Sequence, residues 1–188
     1  MKKLLCLLAA LWLLPGAALA DSLVDVEIGT LRVGEWDCVH IGEELALEGE
    51  RSIVYLEPFG LSECDMDVRF QDEPLPTRAF DDPEAFALEI MARLSRHMEE
   101  QRVATVDPRL LHAEWLDWNG DTAALAFRFS MSFDLSGIGL DTVNPCWQYH
   151  LYFPAADGAY HVTLSAHSGE DLDALLDEFA ARFQPGYP

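Results

Sequence analysis

Apolar and polar residues alternate with a period of two through the N-terminal third of the chain. Val24, Val26 and Ile28 fall on one side and Asp25 and Glu27 on the other, the pattern of a half-buried strand. Trp36 to Ile41, Glu44 to Leu47 and Ser52 to Glu57 are further short strand candidates, punctuated by Gly34, Gly42 and Gly49. Between Pro58 and Pro76 the alternation fades and acids accumulate. That stretch is expected to be an irregular, exposed excursion.

At Asp82 the period lengthens to that of a helix. Asp82 can cap, Pro83 suits the first helical position, and Glu84 suits the positive end of the helix dipole. Phe86, Ile90, Leu94 and Met98 then recur every fourth residue, widened by Ala87 and Met91, while Arg93, Arg96 and Arg102 occupy the later turns. Such a stripe packs on a sheet. A second helix is expected to start at Ser168, with Asp171 three residues on as a capping-box partner. Leu172, Leu175, Leu176, Phe179 and Phe183 form its stripe, and Pro185-Gly186 ends it.

Two hairpins lie between these helices. In the first, Leu125, Phe127, Phe129, Met131 and Phe133 share one face, and Asn119-Gly120 marks the turn. A two-residue turn would set Glu114 opposite Leu125 and bury its carboxylate, at a cost of several kcal/mol. A three-residue loop instead pairs Trp115 with Leu125 and Ala113 with Phe127, and is preferred. The second hairpin runs from Trp147 to Phe153 and from Ala159 to Ser165 around Pro154 to Gly158. Trp147, Tyr149, Leu151, Phe153, Tyr160, Val162 and Leu164 make its core face; Gln148, His150, Tyr152, His161, Thr163 and Ser165 make the other. The fold class is therefore α+β: a single domain, residues 21–188, with an antiparallel sheet and two amphipathic helices packed on it.

The amphipathic helix, the aromatic-rich hairpins and the closing segment Tyr160-His161-Val162-Thr163-Leu164 followed by Asp171 to Phe183 have a familiar order. Over residues 80–183 the chain resembles the PsbP/DcrB-like superfamily of small exported α+β domains. The resemblance implies a mostly non-enzymatic role as an assembly factor, adaptor or accessory protein of an envelope complex. It transfers no functional residue.

Charge and the N-terminus narrow the class of function. Lys2 and Lys3 precede an apolar run from Leu4 to Leu14, Pro15-Gly16 breaks it, and Ala18-Leu19-Ala20 fits a cleavage site. Eleven residues at about 1.5 Å each cannot cross a core of roughly 30 Å, so a cleaved signal peptide (1–20, cut after Ala20) is expected rather than a permanent span. The destination is periplasmic or secreted. The whole chain carries 12 basic and 33 acidic side chains, a net charge of −21, and loss of the signal removes both lysines. The ten arginines that remain are outnumbered by 33 acids, which excludes a sequence-independent nucleic-acid binder.

Export places Cys38, Cys64 and Cys146 in an oxidising compartment, and a Cys38–Cys64 bridge is the expected pairing, with Cys146 a buried thiol. There is no G-x-S-x-G and no C-x-x-C, so no catalytic constellation is assigned. Two weaker candidates concern metals. With Tyr152 opposite His161, His150 lies diagonally from His161 at about 7–8 Å between backbones, so the two imidazoles could share zinc or sense acid. Glu63, Asp65 and Asp67 alternate and could gather calcium, though Arg69 and Phe70 stand where an EF-hand needs an acid and a glycine. No resident cofactor is otherwise expected. The leading expectation is an exported non-catalytic binding protein, an inhibitor or immunity protein covering a basic partner through Glu63, Asp65, Asp67, Asp72 and Glu73. The alternatives are an envelope accessory factor and a metal-dependent protein.

Overall fold

The computed structural model describes residues 22–25, 29–33, 38–40 and 50–57, and then residues 61 to 185 except 62, 119, 121 and 156. Residues 1–20, expected to be a signal peptide, together with Val26 to Ile28 and Glu44 to Leu47, lie outside the described residues. In chain order the elements are β1 (Ser22–Asp25), β2 (Gly29–Val33), β3 (Cys38–His40), β4 (Glu50–Glu57), β5 (Asp65–Gln71), α1 (Thr77–Asp81), α2 (Pro83–Glu100), β6 (Ala104–Trp118), β7 (Thr122–Asp134), β8 (Val143–Ala155), β9 (Gly158–Ala166), α3 (Gly169–Arg182) and β10 (Phe183–Pro185). Seven strands form one antiparallel sheet in the order β3-β4-β5-β9-β8-β7-β6, and β1-β2-β10 form a small second one.

The helix caps follow from the residues that signal them. The Asp82 carboxylate accepts from the Ala85 N–H at 3.0 Å, with Pro83 opening α2. The Ser168 hydroxyl accepts from the Asp171 N–H at 3.0 Å and donates to the Asp171 carboxylate at 2.6 Å. Phe86, Ala87 and Ile90 press α2 onto one face of the sheet, against Phe127, Phe129 and Tyr152. Leu172, Leu175 and Phe179 press α3 onto the opposite face, against Leu151, Phe153, Val162 and Leu164. Phe183 leaves the helix and pairs with Leu31 in the small sheet, but stays buried beside Phe179.

The first hairpin has the three-residue loop, with Ala113 opposite Phe127 and Trp115 opposite Leu125. The second is tighter than the five-residue loop expected, because Ala155 already pairs with Gly158. The largest departure from the sequence reading is β5. Residues 65–71 are not an exposed excursion but a central strand, flanked by β4 and β9. Met66, Val68 and Phe70 alternate with Asp65, Asp67 and Arg69, so the apolar set enters the α3 core and the charged set lies on the other face. Three charges among seven residues obscured a period of two.

The expected Cys38–Cys64 bridge is absent, and Cys64 is a buried free thiol. Cys38 stands opposite Glu57 on β4, while Leu56 stands opposite Met66 on β5. Two strand spacings of about 4.8 Å therefore separate Cys38 from the start of β5. That exceeds the ~7 Å limit between Cα atoms for a disulfide. Cys146 is partly buried and also a free thiol.

Candidate functional site

The most unusual chemistry lies on the α2 face of the central strands. Register places three rows there: Asp65, Ser165, Gln148 and Phe129; Asp67, Thr163, His150 and Phe127; and Arg69, His161, Tyr152 and Leu125. Each row changes from charged on β5 to aromatic or aliphatic on β7. The polar end is nonetheless enclosed: Asp67 is 2% exposed, His150 3%, His161 0% and Thr163 3%.

Burial of so many polar groups demands partners, and the side chains supply them. His150 Nδ1 and His161 Nε2 are 2.8 Å apart. Thr163 Oγ1 lies 3.2 Å from that His161 nitrogen, and His150 Nε2 is 3.2 Å from Gln148 Oε1. Gln148 Nε2 in turn donates to Ser165 Oγ at 3.4 Å. These contacts fit one direction of donation: His161 Nε2–H to His150, His150 Nε2–H to Gln148, Gln148 to Ser165, and Ser165 to the Asp65 carboxylate. Arg69 Nε donates to Asp67 Oδ2 at 2.6 Å. The flat imidazoles stack within an aromatic column, His161 on Tyr152 at 4.0 Å and His150 on Phe127 at 5.1 Å.

This enclosure moves the titrations. Burial, then the neighbouring His161 and Arg69, hold His150 well below the ordinary imidazole range, so it is neutral. Burial pushes Asp65 up to about 6, against a hydrogen bond from Ser165 that lowers it. The Cys146 thiol is pushed up to about 12 by burial and then by Asp65, which leaves it a protonated, inert group. Burial, followed by Asp65 and Glu57, raises Tyr55 as well.

Of the five acids expected to meet a partner, the structure separates rather than gathers the set. Asp65 and Asp67 sit within the stripe, and Glu63 is exposed at the start of β5. Asp72 and Glu73 are exposed beyond the other end of β5. Seven residues at about 3.3 Å each put roughly 23 Å between those ends. The histidine register is the one expected, but the two facing nitrogens form a hydrogen bond. Two nitrogens on one zinc, each at about 2.0–2.1 Å in a tetrahedron, would stand wider apart than 2.8 Å. Among the described residues no group of three or more His, Cys, Asp or Glu side chains is arranged to hold a metal ion.

A second feature escaped the sequence reading. Ile138 and Leu140, in the loop joining β7 to β8, and Val143, at the start of β8, are each more than half exposed. The loop is nevertheless pinned. Leu135 O accepts from Ile138 N–H at 3.1 Å and Leu140 N–H at 3.2 Å, and Leu135 N–H donates to Thr142 O at 3.0 Å. Gly137 packs so closely on the turn after α2 that a Cβ there would lie 2.1 Å from Arg102 O. The signal was present as apolar residues within Leu135-Ser136-Gly137-Ile138-Gly139-Leu140, a glycine-punctuated segment between strands.

The solution structure of cyanobacterial PsbP (CyanoP) from Synechocystis sp. PCC 6803 superposes with a TM-score of 0.55 and 13% identity, over 93% of this chain and 99% of that one. The chain has a PsbP-like fold. At that identity the likeness shows architecture and no shared site. The crystal structure of PA94, a protein of unknown function from Pseudomonas aeruginosa, aligns at a TM-score of 0.41 and 11% identity, over 89% of this chain and 98% of that one. No family model matches the chain, and no curated protein does. No described helix of this PsbP-like domain is long and apolar enough to cross a membrane.

Proposed function

We propose that the chain is an exported, non-catalytic binding protein that docks a protein partner as an accessory component of the cell envelope. The β7–β8 loop is the observation that carries this reading. Three exposed aliphatic side chains on a backbone already held in place lose little freedom on docking, so their burial goes largely into affinity. The PsbP-like fold supports an accessory role, and the basic, apolar, small-residue N-terminus supports export. Thr163 and His161 have the residue types of a nucleophile and base, but both are buried and spend their hydrogen bonds internally. That supports binding over catalysis.

The exposed Asp141 lies on the loop itself, and the whole chain is strongly acidic. A neutral or basic partner surface is therefore favoured over an anionic one. An inhibitor or immunity role through an acidic patch is the weaker form of the same idea. Glu63 and the Asp72-Glu73 pair are farther apart than two Debye lengths at physiological salt, about 8 Å each, and cannot act as one patch. Photo-cross-linking from positions 138 and 140 in the producing cell tests the docking loop, with exposed Ala174 on α3 as control. A discrete adduct from the loop positions and none from 174 is expected. Equal labelling at all three positions, or none at the loop, would overturn the reading.

A further inference from the structure

Among the described residues, β5 brings three formally charged side chains to this stripe, the buried Asp67 and the partly buried Asp65 and Arg69. Asp67 and Arg69 oppose each other in contact, whereas Asp65 is held by the Ser165 hydroxyl and touches no cation among the described residues. The other titratable groups facing the stripe are Tyr55 and Glu57 from β4, Cys146, His150 and Tyr152 from β8, and His161 from β9. From β7 come the neutral rings of Phe127 and Phe129, and from α2 the ring of Phe86 against Tyr152.

We propose that this stripe is a proton-compensating device: on mild acidification the folded domain takes up one proton at Asp65, neutralising the carboxylate that touches no described cation, while His150 stays neutral. The hydrogen-bond geometry makes the two sites unequal. A carboxyl has two oxygens, so one can take the proton while the other still accepts from Ser165. His150 has no such spare position. Its Nδ1 accepts from His161 at 2.8 Å, and a proton added there would set two N–H groups against each other.

The linkage runs in opposite directions at the two residues. His150 is depressed below 6.5, so below that pH the unfolded chain binds a proton that the folded chain refuses, and stability falls. Asp65 is raised from 3.8 to about 6, so between those values the folded chain holds the extra proton, and stability rises as pH falls. Asp65 thus offsets, over its own window, the acid sensitivity that a buried neutral histidine imposes.

Asp65→Asn provides the test, because the amide keeps the shape of the protonated carboxyl. Urea unfolding of both proteins should show the variant more resistant at neutral pH, with the difference vanishing on acidification. Their ratio of unfolding equilibrium constants should change by up to roughly a hundredfold across the window from 3.8 to about 6. A ratio independent of pH would overturn the proposal. Should the variant fail to fold, the ¹³C-carboxyl resonance of Asp65 in the unaltered protein decides the matter. A midpoint close to 6, with His150 ring resonances unmoved through that range, supports the device; a midpoint near 4, or His150 titrating first, sinks it.

Discussion

At the scale of single residues, the turn after α2 shows how backbone conformation and packing set opposite demands on neighbours. Val103 N–H donates to Met98 O at 2.9 Å and Arg102 N–H to Glu99 O at 2.9 Å, a Schellman closure with Arg102 left-handed at φ 63°. A side chain there costs about 1–2 kcal/mol that glycine would not. Arg102→Gly should therefore raise the urea midpoint, by the equivalent of roughly 1 kcal/mol. Gly137 faces the same turn and should behave inversely. Its Cβ would meet Arg102 O at 2.1 Å, so Gly137→Ala should destabilise by about 1–3 kcal/mol. Equal effects of the two substitutions would contradict this account of the turn. The loop position also matters for docking, since Gly137→Ala should loosen the tip and weaken cross-linking from position 140.

At the scale of elements, α3 is held by its apolar stripe and by one arginine from the sheet. Arg128 donates to Asp173 at 2.7 Å and to Gly169 O at 3.0 Å, and lies over the Trp147 ring at 5.4 Å. Asp173 is 63% exposed, so its ion pair contributes little once solvent screens it. The planar fork reaching a helix-terminal carbonyl matters more. Arg128→Lys should cost on the order of 1 kcal/mol in thermal or urea unfolding, whereas Asp173→Asn should stay within about 0.5 kcal/mol. Ser168→Ala should cost about 1 kcal/mol, because it removes the acceptor for Asp171 N–H. A larger loss from Asp173→Asn than from Arg128→Lys would show that the ion pair, not the carbonyl contact, secures the helix.

At the scale of the whole molecule, the excess of 33 acids over 12 basic residues opposes compaction. Raising ionic strength from about 0.01 M to about 0.15 M shortens the Debye length from ~30 Å to ~8 Å and screens that repulsion. The melting temperature should rise with salt, by roughly 2–4 °C for each kcal/mol of relief in a domain of this size. A flat or falling response would mean that local ion pairs such as Arg69–Asp67 and Arg182–Glu178 outweigh the global field. Docking should move the other way. If acids beside the tip steer a basic partner, the yield of the adduct from position 140 should fall as salt rises.

Local chemistry made much of this protein legible from its residues alone. Asp82-Pro83 and Ser168 with Asp171 announce their helices because capping needs only neighbours in the chain. The three-residue hairpin loop follows from the cost of burying Glu114, again a local choice. The polar face bearing His150, His161 and Thr163 was readable as a face, because period-two alternation is a property of one strand. Its burial was not. That depends on β5, brought beside β9 from some ninety residues earlier, which places Asp67 and Arg69 next to the histidines. A single strand's pattern says which side chains share a side, but not what the neighbouring strand will bring to it. The same non-local pairing turned an acidic excursion into a central strand and held Cys38 away from Cys64. The apolar tip is the converse case: aliphatic side chains that a sequence assigns to a core are left exposed where β7 turns into β8.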